Sequence, residues 1–131
     1  MIFKFLLIAV FINGIVARYR LTAHECIGVH GRLVSPNGCF ELSMQEDGNL
    51  VAYRRSNREP IWHTGTSKTC TERACMQGDG NFVTYDCHHS VTWSSGTANN
   101  YGAIVQMQDD GNIVAYDLGK AIWASSSQTN C

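Results

Sequence analysis

The chain has 131 residues, with 10 Lys and Arg against 11 Asp and Glu, a near balance that argues against a basic nucleic-acid-binding protein. Its length suits one domain with its own core, and an apolar fraction of 44% argues against long disorder. The six cysteines are an even number, so the compartment in which the chain folds matters for their chemistry.

The first segment has the layout of a secretory signal peptide. A short basic start precedes an unbroken apolar run from Phe5 to Ile12, and a stretch ending in the small residue Ala17 follows. Eight apolar residues are too few to span a bilayer as a stable helix, and no second stretch of membrane length follows. We therefore predict a signal peptide over residues 1–17 and a secreted, extracellular domain over residues 18–131, free to form disulfides and without a membrane span. The alternative is an N-terminal core helix.

A ten-residue unit occurs three times in the rest of the chain. It reads Met-Gln-Glu-Asp-Gly-Asn-Leu-Val-Ala-Tyr at 44–53, and close variants occupy 76–85 and 107–116. One Trp follows each copy, and these are the three Trp of the protein: Trp62, Trp93 and Trp123. The repeat divides this single domain into units at about 26–66, 67–97 and 98–131.

Within each unit, apolar and polar residues alternate in the pattern of a half-buried strand. In the first unit Met44, Leu50 and Ala52 lie on the apolar face, and an Asp-Gly pair in the middle signals a turn. Because Gln45 and Val51 must share the opposite face, the hairpin loop must hold an odd number of residues, three or five, and not the two of a tight Asp-Gly turn. Each unit is therefore predicted to be a β-hairpin.

No sustained helical period follows the first segment, and turn signals separate short strands, so we predict an all-β fold. Units this small cannot bury an apolar face alone, so the three must share one core in a closed three-fold arrangement. The three Trp are assigned to this core, with stacking on a sugar as their alternative role. The residues expected inside are Met44, Met76, Met107, Leu50, Phe82, Ile113, Val91, Trp62, Trp93 and Trp123.

On the opposite face, four polar residue types and one Val recur at the same positions in all three units, whereas the positions between them vary. A carboxylate, two amides and a Tyr hydroxyl offer directional hydrogen bonds to vicinal hydroxyl groups, and Val offers an apolar patch to ring C–H groups. This combination predicts a site for a polyhydroxylated ligand. In the alternative interpretation the Asp and Asn only stabilise the turn, which leaves the Gln and Tyr unexplained. The candidate binding residues are Gln45, Asp47, Asn49, Val51, Tyr53, Gln77, Asp79, Asn81, Val83, Tyr85, Gln108, Asp110, Asn112, Val114 and Tyr116.

The pattern Gln-x-Asp-x-Asn-x-Val-x-Tyr resembles the signature of the bulb-type lectins, the monocot mannose-binding lectin family, and the resemblance covers roughly residues 26–131. It implies a β-prism II fold, in which three four-stranded antiparallel sheets surround a pseudo-three-fold axis and each sheet carries a shallow mannose site. It also implies that the fifteen candidate residues contact mannose, without a metal or other cofactor. The implied partners are mannose-containing glycans or glycoproteins, and a homodimer formed by exchange of C-terminal strands is an option.

The cysteines depart from the family pattern, which has one disulfide. Six cysteines allow 15 connectivities, and the sequence does not choose among them. Their positions give only preferences, namely Cys75 with Cys87, Cys26 with Cys131, and Cys39 with Cys70. In the alternative, Cys131 bonds a second chain and locks a dimer.

Other chemistry has little support in the sequence. The five histidines lack zinc spacing, and Asp109-Asp110 lacks the downstream Glu of a calcium loop. The repeated carboxylates fall on separate sheets and no nucleophile–base pair occurs, so we do not expect an enzyme; a secreted hydrolase is a minor alternative. The serines at 125–127 resemble an ordinary tail, and the three arginines within 54–58 resemble a solvated loop, with contact to acidic glycans as the alternative. The second functional hypothesis is a β-prism defence protein that acts through protein contacts, as a toxin or protease inhibitor.

Overall fold

The computed structural model describes residues 9–12 and 15–131, with side chains from residue 18 onward. Most of the predicted signal peptide, residues 1–8 and 13–14, lies outside the described residues, and its cleavage stays a prediction. The described part of that segment forms β1 (Ala9–Ile12) and β2 (Ile15–Arg18), which pair only with each other as a two-stranded antiparallel sheet. Among the described residues no helix is long and apolar enough to cross a membrane.

The remaining strands form three four-stranded antiparallel sheets, which confirms the predicted all-β architecture. Sheet I has the order β5 (Arg32–Val34), β6 (Phe40–Met44), β7 (Leu50–Arg54) and β8 (Glu59–His63). Sheet II has the order β4 (Glu25–Gly28), β9 (Thr71–Met76), β10 (Phe82–Asp86) and β11 (Val91–Ser94). Sheet III has the order β3 (Arg20–Leu21), β12 (Ile104–Met107), β13 (Ile113–Asp117) and β14 (Lys120–Ala124).

Each repeat supplies three consecutive strands, and the N-terminal segment supplies the fourth strand of every sheet. The three strands β3, β4 and β5 follow one another in the chain, but they pair with β12 of sheet III, β9 of sheet II and β6 of sheet I. This segment therefore ties the three repeats together. Because each repeat alone leaves its sheet incomplete and its apolar face uncovered, the three units fold only as one body.

The turn that joins β6 to β7 holds five residues, which confirms the odd loop length. Met44 lies opposite Leu50, and the N–H of Gln45 donates to the carbonyl of Asn49 at 3.0 Å. The Gly in this turn has a φ of +90°, a conformation that residues with a Cβ rarely adopt. The equivalent bonds in the other repeats join Gln77 to Asn81 at 2.9 Å and Gln108 to Asn112 at 2.9 Å.

The inner faces of the sheets form one core, as the period of two predicts. Six of the ten residues expected inside are at most 1% exposed: Met44, Met76, Met107, Leu50, Phe82 and Ile113. The three Trp are partly buried against this core and meet one another edge to face, with ring centroids 5.4 to 5.7 Å apart. Such an arrangement suits aromatic quadrupoles and assigns the three rings to packing between the sheets.

Val91 is the error in the predicted core, because it is 57% exposed. A β-bulge explains its position: Thr84 lies opposite Trp93, but Tyr85 lies opposite Val91, so the strand register shifts by one residue at Thr92. The extra residue reverses the alternation of faces. Val91 therefore lies beside Tyr85 on the outer face, while Trp93 stays on the inner one.

The structure contains three disulfides, and their pairing differs from all three sequence preferences: Cys26–Cys75, Cys39–Cys131 and Cys70–Cys87. The predicted pairing of Cys75 with Cys87 is wrong because Cys75 lies opposite Val83, four residues before Cys87.

Strand register explains two of the observed bonds. Cys26 on β4 lies directly opposite Cys75 on β9, with Cα atoms 4.0 Å apart. The N–H of Cys87 donates to the carbonyl of Cys70 at 3.0 Å, which places the ends of β9 and β10 side by side. The third bond joins Cys131 to Cys39, which directly precedes β6 of sheet I in the same chain, and so tethers the segment around Cys131 there.

Candidate functional site

Each sheet carries one copy of the motif at its central hairpin. The turn supplies the Gln, Asp and Asn, and the strand after the turn supplies the Val and Tyr. We call these groups cluster 1 on sheet I (Gln45, Asp47, Asn49, Val51, Tyr53), cluster 2 on sheet II (Gln77, Asp79, Asn81, Val83, Tyr85) and cluster 3 on sheet III (Gln108, Asp110, Asn112, Val114, Tyr116).

In cluster 3 the Gln bridges the Tyr and the Asp. The hydroxyl of Tyr116 donates to Oε1 of Gln108 at 2.6 Å, and Nε2 of Gln108 donates to Oδ1 of Asp110 at 3.3 Å. Three side chains that are separated by up to eight residues in sequence therefore form one connected polar surface. The Tyr oxygen retains lone pairs that can accept a hydrogen bond from a ligand.

Clusters 1 and 2 contain the same Gln–Tyr contact. The amide of Gln45 bonds the hydroxyl of Tyr53, and the amide of Gln77 bonds the hydroxyl of Tyr85. When the Gln45 amide is oriented so that its oxygen accepts from Tyr53, its nitrogen lies 3.1 Å from Oδ1 of Asp47, and the cluster 3 bridge is reproduced.

The Asp of each cluster stabilises its own turn with one carboxylate oxygen. Oδ1 of Asp47 accepts from the N–H of Asn49 at 2.9 Å. The same bond joins Asp79 to Asn81 and Asp110 to Asn112, each at 3.0 Å. The turn-stabilising interpretation is therefore correct for one oxygen of each Asp. In the described chain the second oxygen has no backbone donor, so it can accept a hydrogen bond from a hydroxyl group.

The Asn of each cluster holds the segment that follows the third strand of its repeat. Oδ1 of Asn49 accepts from the N–H groups of Gly65 at 3.1 Å and Thr66 at 3.2 Å. Oδ1 of Asn81 and of Asn112 accept in the same way from Thr97 at 3.1 Å and Ser127 at 3.3 Å. Because the side-chain oxygen is used within the fold, the Nδ2 group is the part of each Asn that can donate to a ligand.

Two hydroxyl positions that the sequence analysis missed complete each cluster. The hydroxyl of Thr66 donates to the carbonyl of Gly48 at 2.6 Å and contacts the hydroxyl of Thr64 at 2.8 Å. Equivalent pairs stand at Ser95 and Thr97 and at Ser125 and Ser127. The interpretation of residues 125–127 as an ordinary tail is thus wrong. The available signal was a Thr or Ser two and four residues after every Trp.

The Val of each cluster forms a floor beneath the polar groups. Val51, Val83 and Val114 are 3%, 1% and 4% exposed. They therefore offer a ligand a narrow apolar strip, in line with the small patch expected from the sequence.

The clusters differ in what surrounds the Tyr. The guanidinium carbon of Arg58 lies 4.4 Å from the ring centroid of Tyr53, and that of Arg73 lies 4.7 Å from the ring centroid of Tyr85. In cluster 3 the residue opposite the Tyr is Ile104. The fold thus repeats the motif but varies the charge around it.

A buried carboxylate lies next to cluster 1. Glu41 is 3% exposed and accepts from the hydroxyl of Ser43 at 2.6 Å. Arg55 and Arg58 lie 3.1 and 3.3 Å from its oxygens, and Arg32 lies 3.9 Å away. Burial raises the pKa of Glu41, but the hydrogen bonds from Ser43, Arg58 and Arg55 outweigh it, and the pKa lies below its usual value.

A cavity of about 320 Å³ adjoins cluster 3. Its walls include Tyr19 and Pro36 together with the cluster residues Gln108 and Asp110. Oε1 of Gln108 also accepts from Nε2 of Gln106, another wall residue, at 3.0 Å. Cluster 3 therefore has a concave neighbour.

One group among the described residues has its potential metal-ligand atoms close together, within 4.8 Å: Cys70, Cys87 and His88. Both cysteines are bonded to each other, so neither offers the thiolate that binds a metal ion.

Comparison with known proteins places the chain among lectins. It is 41% identical over 54 residues to the B-type lectin plumieribetin of Scorpaena plumieri, covering 41% of this chain and 45% of that protein. It is 43% identical over 63 residues to a mannose-specific lectin of Narcissus pseudonarcissus, covering 42% of this chain and 54% of that protein. The chain thus spans about half the length of the curated relatives it matches. No protein-family model matches it.

Solved structures match over most of their length. A monomeric monocot mannose-binding lectin from Gastrodia elata has a TM-score of 0.74 and 34% identity, with 85% of this chain and 99% of that chain covered. The mannose-specific agglutinin of snowdrop, Galanthus nivalis, has a TM-score of 0.68 and 33% identity, with 86% and 99% covered. Three four-stranded sheets, a motif copy on each, and this similarity over whole lectin chains lead to one conclusion: the chain belongs to the bulb-type lectin family and has its β-prism II fold.

Proposed function

We propose that the protein is a secreted, non-enzymatic lectin that binds mannose or mannose-rich glycans through clusters 1, 2 and 3, in defence or recognition. The observation that carries the proposal is the same five residue types at three hairpin turns, each with a hydrogen bond between Gln and Tyr and an Asp that accepts from the N–H of the Asn. Relatives described as mannose-specific, including the snowdrop agglutinin with its bound methyl-α-D-mannoside, support mannose as the ligand.

The proposed contacts follow from the groups that are not hydrogen-bonded to the backbone. In each cluster the second carboxylate oxygen of the Asp accepts from a sugar hydroxyl, and Nδ2 of the Asn donates to one. In cluster 3 the Tyr oxygen accepts from the sugar, because the proton of Tyr116 is donated to Gln108. The Val floor faces ring carbons. The Asn and Asp are held by backbone bonds before the ligand arrives, so little ordering cost falls on binding.

Affinity at one cluster is expected to be low. A few exchanged hydrogen bonds on an open surface correspond to a dissociation constant of about 1 mM, or about −4 kcal/mol. The clusters lie on three different sheets, so one chain can engage several branches of a glycan or a glycan-coated surface and gain avidity. All contacts proposed here come from protein groups, so we expect agglutination to persist in the presence of a metal chelator.

The sharpest test replaces the Asp of each cluster with Asn. In Asp47→Asn, Asp79→Asn and Asp110→Asn, the side-chain oxygen still accepts the turn N–H, while the oxygen that would accept from the sugar becomes an NH₂ group. We expect a folded protein that loses mannoside binding by calorimetric titration and on a glycan array. Substituting the Asn residues is a poorer test, because their oxygens hold the fold together.

The matched control combines Glu46→Gln with Asp86→Asn. Glu46 neighbours Asp47 in the same turn and is exposed, and Asp86 stabilises the turn after β10 by accepting from the N–H of His88 at 2.9 Å. This control should bind like the parent protein. Unchanged binding in the triple variant, or an array without preference for mannose-terminated glycans, would overturn the proposal.

A further inference from the structure

Three arginines surround Glu41, the buried carboxylate next to cluster 1, so the group carries a net positive charge. Glu41 can neutralise one of the three guanidinium groups. Arg55 is largely committed to the fold, since it also donates to the carbonyl of Gly38 at 3.0 Å. The side chains of Arg32 and Arg58 are 42% and 58% exposed, and each guanidinium has five N–H donors. The assembly therefore presents excess positive charge to solvent, held in place by a fixed anion.

Both exposed arginines lie on the binding face of sheet I. Arg58 stacks on the ring of Tyr53, whose hydroxyl bonds Gln45. Arg32 on β5 lies opposite Ser43, and Ser43 lies opposite Val51, so alternation along the strands directs all three to the same face. A sugar in cluster 1 would therefore have guanidinium groups at its edge.

The fold does not need this assembly, because sheet III is built without it. The position of Glu41, opposite the Tyr, is taken there by Ile104, which carries no charge. Arg20 occupies the position on sheet III that Arg32 occupies on sheet I. It lies opposite Gln106, and Gln106 lies opposite Val114, the Val of cluster 3. Sheet III thus has a single arginine without the carboxylate and the two partners. A purely structural role does not explain why sheet I has them.

We propose that cluster 1 prefers hexoses that carry an anionic group, such as a phosphate, sulfate or carboxylate, and that Arg58 and Arg32 bind that group. The inference rests on the proposed function of the three clusters and adds a ligand class to one of them. Guanidinium groups suit this role because they pair with two anionic oxygens at once. Cluster 3, with Ile104 beside its Tyr, would bind neutral hexoses without this preference.

The test uses two variants of the full chain that each keep one cluster. Asp79→Asn with Asp110→Asn leaves cluster 1, and Asp47→Asn with Asp79→Asn leaves cluster 3. Each is titrated with methyl α-mannoside, mannose 6-phosphate, mannose 6-sulfate and mannuronic acid at low and at physiological salt. We expect the anionic sugars to bind the cluster 1 variant about threefold to tenfold more tightly than the neutral mannoside, with a preference that salt weakens. The cluster 3 variant should show no preference.

A second set of variants assigns the effect to residues. In the cluster 1 background, Arg58→Gln should reduce the preference for anionic sugars and Arg58→Lys should retain part of it, while Arg20→Gln, the matched change on sheet III, should leave it unchanged. An equal ratio of anionic to neutral affinity in the two single-cluster proteins overturns the inference and leaves the proposed function intact. Absence of all binding overturns both.

Discussion

The Cys39–Cys131 disulfide should stabilise cluster 3 more than the other clusters. After each repeat, the chain donates one backbone hydrogen bond to the turn Asp: Lys68 to Asp47 at 2.7 Å, Asn100 to Asp79 at 3.0 Å, and Thr129 to Asp110 at 2.9 Å. In the first two repeats the chain then continues into the next sheet. In the third repeat, the Cys39–Cys131 disulfide joins the segment after Thr129 to Cys39, next to β6 of sheet I.

The perturbation is replacement of both Cys39 and Cys131 by Ser. The bond closes a loop with a sequence separation of 92 residues. Loop-closure entropy for that length gives a loss of about 4.6 kcal/mol from the free energy of unfolding. This value is an upper bound, because the overlapping Cys26–Cys75 bond shortens the loop that is released. Arg54, which donates to the carbonyl of Asn130 at 2.9 Å, still holds the segment in part.

The assay combines urea unfolding with amide hydrogen exchange. We expect the N–H of Thr129 to exchange much faster in the variant, while those of Lys68 and Asn100 keep their protection relative to global unfolding. The amides of Lys68 and Asn100 serve as controls inside the same molecule. In a protein that retains only cluster 3, loss of the Cys39–Cys131 bond should also weaken mannoside binding.

The matched control replaces Cys70 and Cys87 by Ser, which removes a bond with a sequence separation of 17 residues. Its expected cost is about 3 kcal/mol, and it should not change the exchange of Thr129 relative to the global rate. The reasoning is refuted if Thr129 stays as protected in the Cys39–Cys131 variant as in the parent, or if both disulfide variants affect cluster 3 equally.

Three further predictions concern the turns and the buried charge. Gly80 has a φ of +92°, and a Cβ added there would lie 2.2 Å from the carbonyl oxygen of Asn100. We therefore expect Gly80→Ala to lower the free energy of unfolding in urea by at least about 2 kcal/mol and to abolish binding at cluster 2. Thr97→Val removes the hydroxyl that donates to the Gly80 carbonyl at 2.6 Å, at a cost of about 1 to 3 kcal/mol by the same measurement. The pKa of Glu41 is lowered from 4.5, so its contribution to stability is present above about pH 4.5 and is lost as the pH falls through the folded-state pKa; thermal unfolding of Glu41→Gln should lack that part of the pH dependence.

A comparison with a second protein tests each of these three predictions. Gly96→Ala, at φ of +71° with no atom within 4 Å of the new Cβ, should cost only about 1 kcal/mol, and equal losses at the two glycines would remove the argument from the close contact. Thr97→Ser keeps the hydroxyl and should be about as stable as the parent protein. A Thr97→Val variant as stable as the parent would show that the hydroxyl is dispensable. For Glu41, parallel pH profiles of parent and Gln variant would show that the carboxylate is not stabilising.

Local sequence determined the repeating part of this protein. The alternation around Met44 and Leu50 defined the strands, their buried face and the odd turn, because side-chain direction along a strand depends only on position. The recurrence of five outward residue types marked the candidate site before any contact was known. The turn role of Asp47 also followed from its place before Gly48.

Tertiary structure decided how the repeats are joined and how the clusters differ. No local pattern states that β3, β4 and β5 complete three different sheets, and Cys26 meets Cys75 only because of that pairing. The bulge that turns Val91 outward is a single extra residue, invisible to a period of two. The arginines around Glu41 come from β5 and from the turn between β7 and β8, so their excess charge next to Glu41 exists only after folding. Periodicity predicts the face of the strand on which each side chain lies, whereas disulfides, edge strands and charge clusters depend on residues that are distant in sequence.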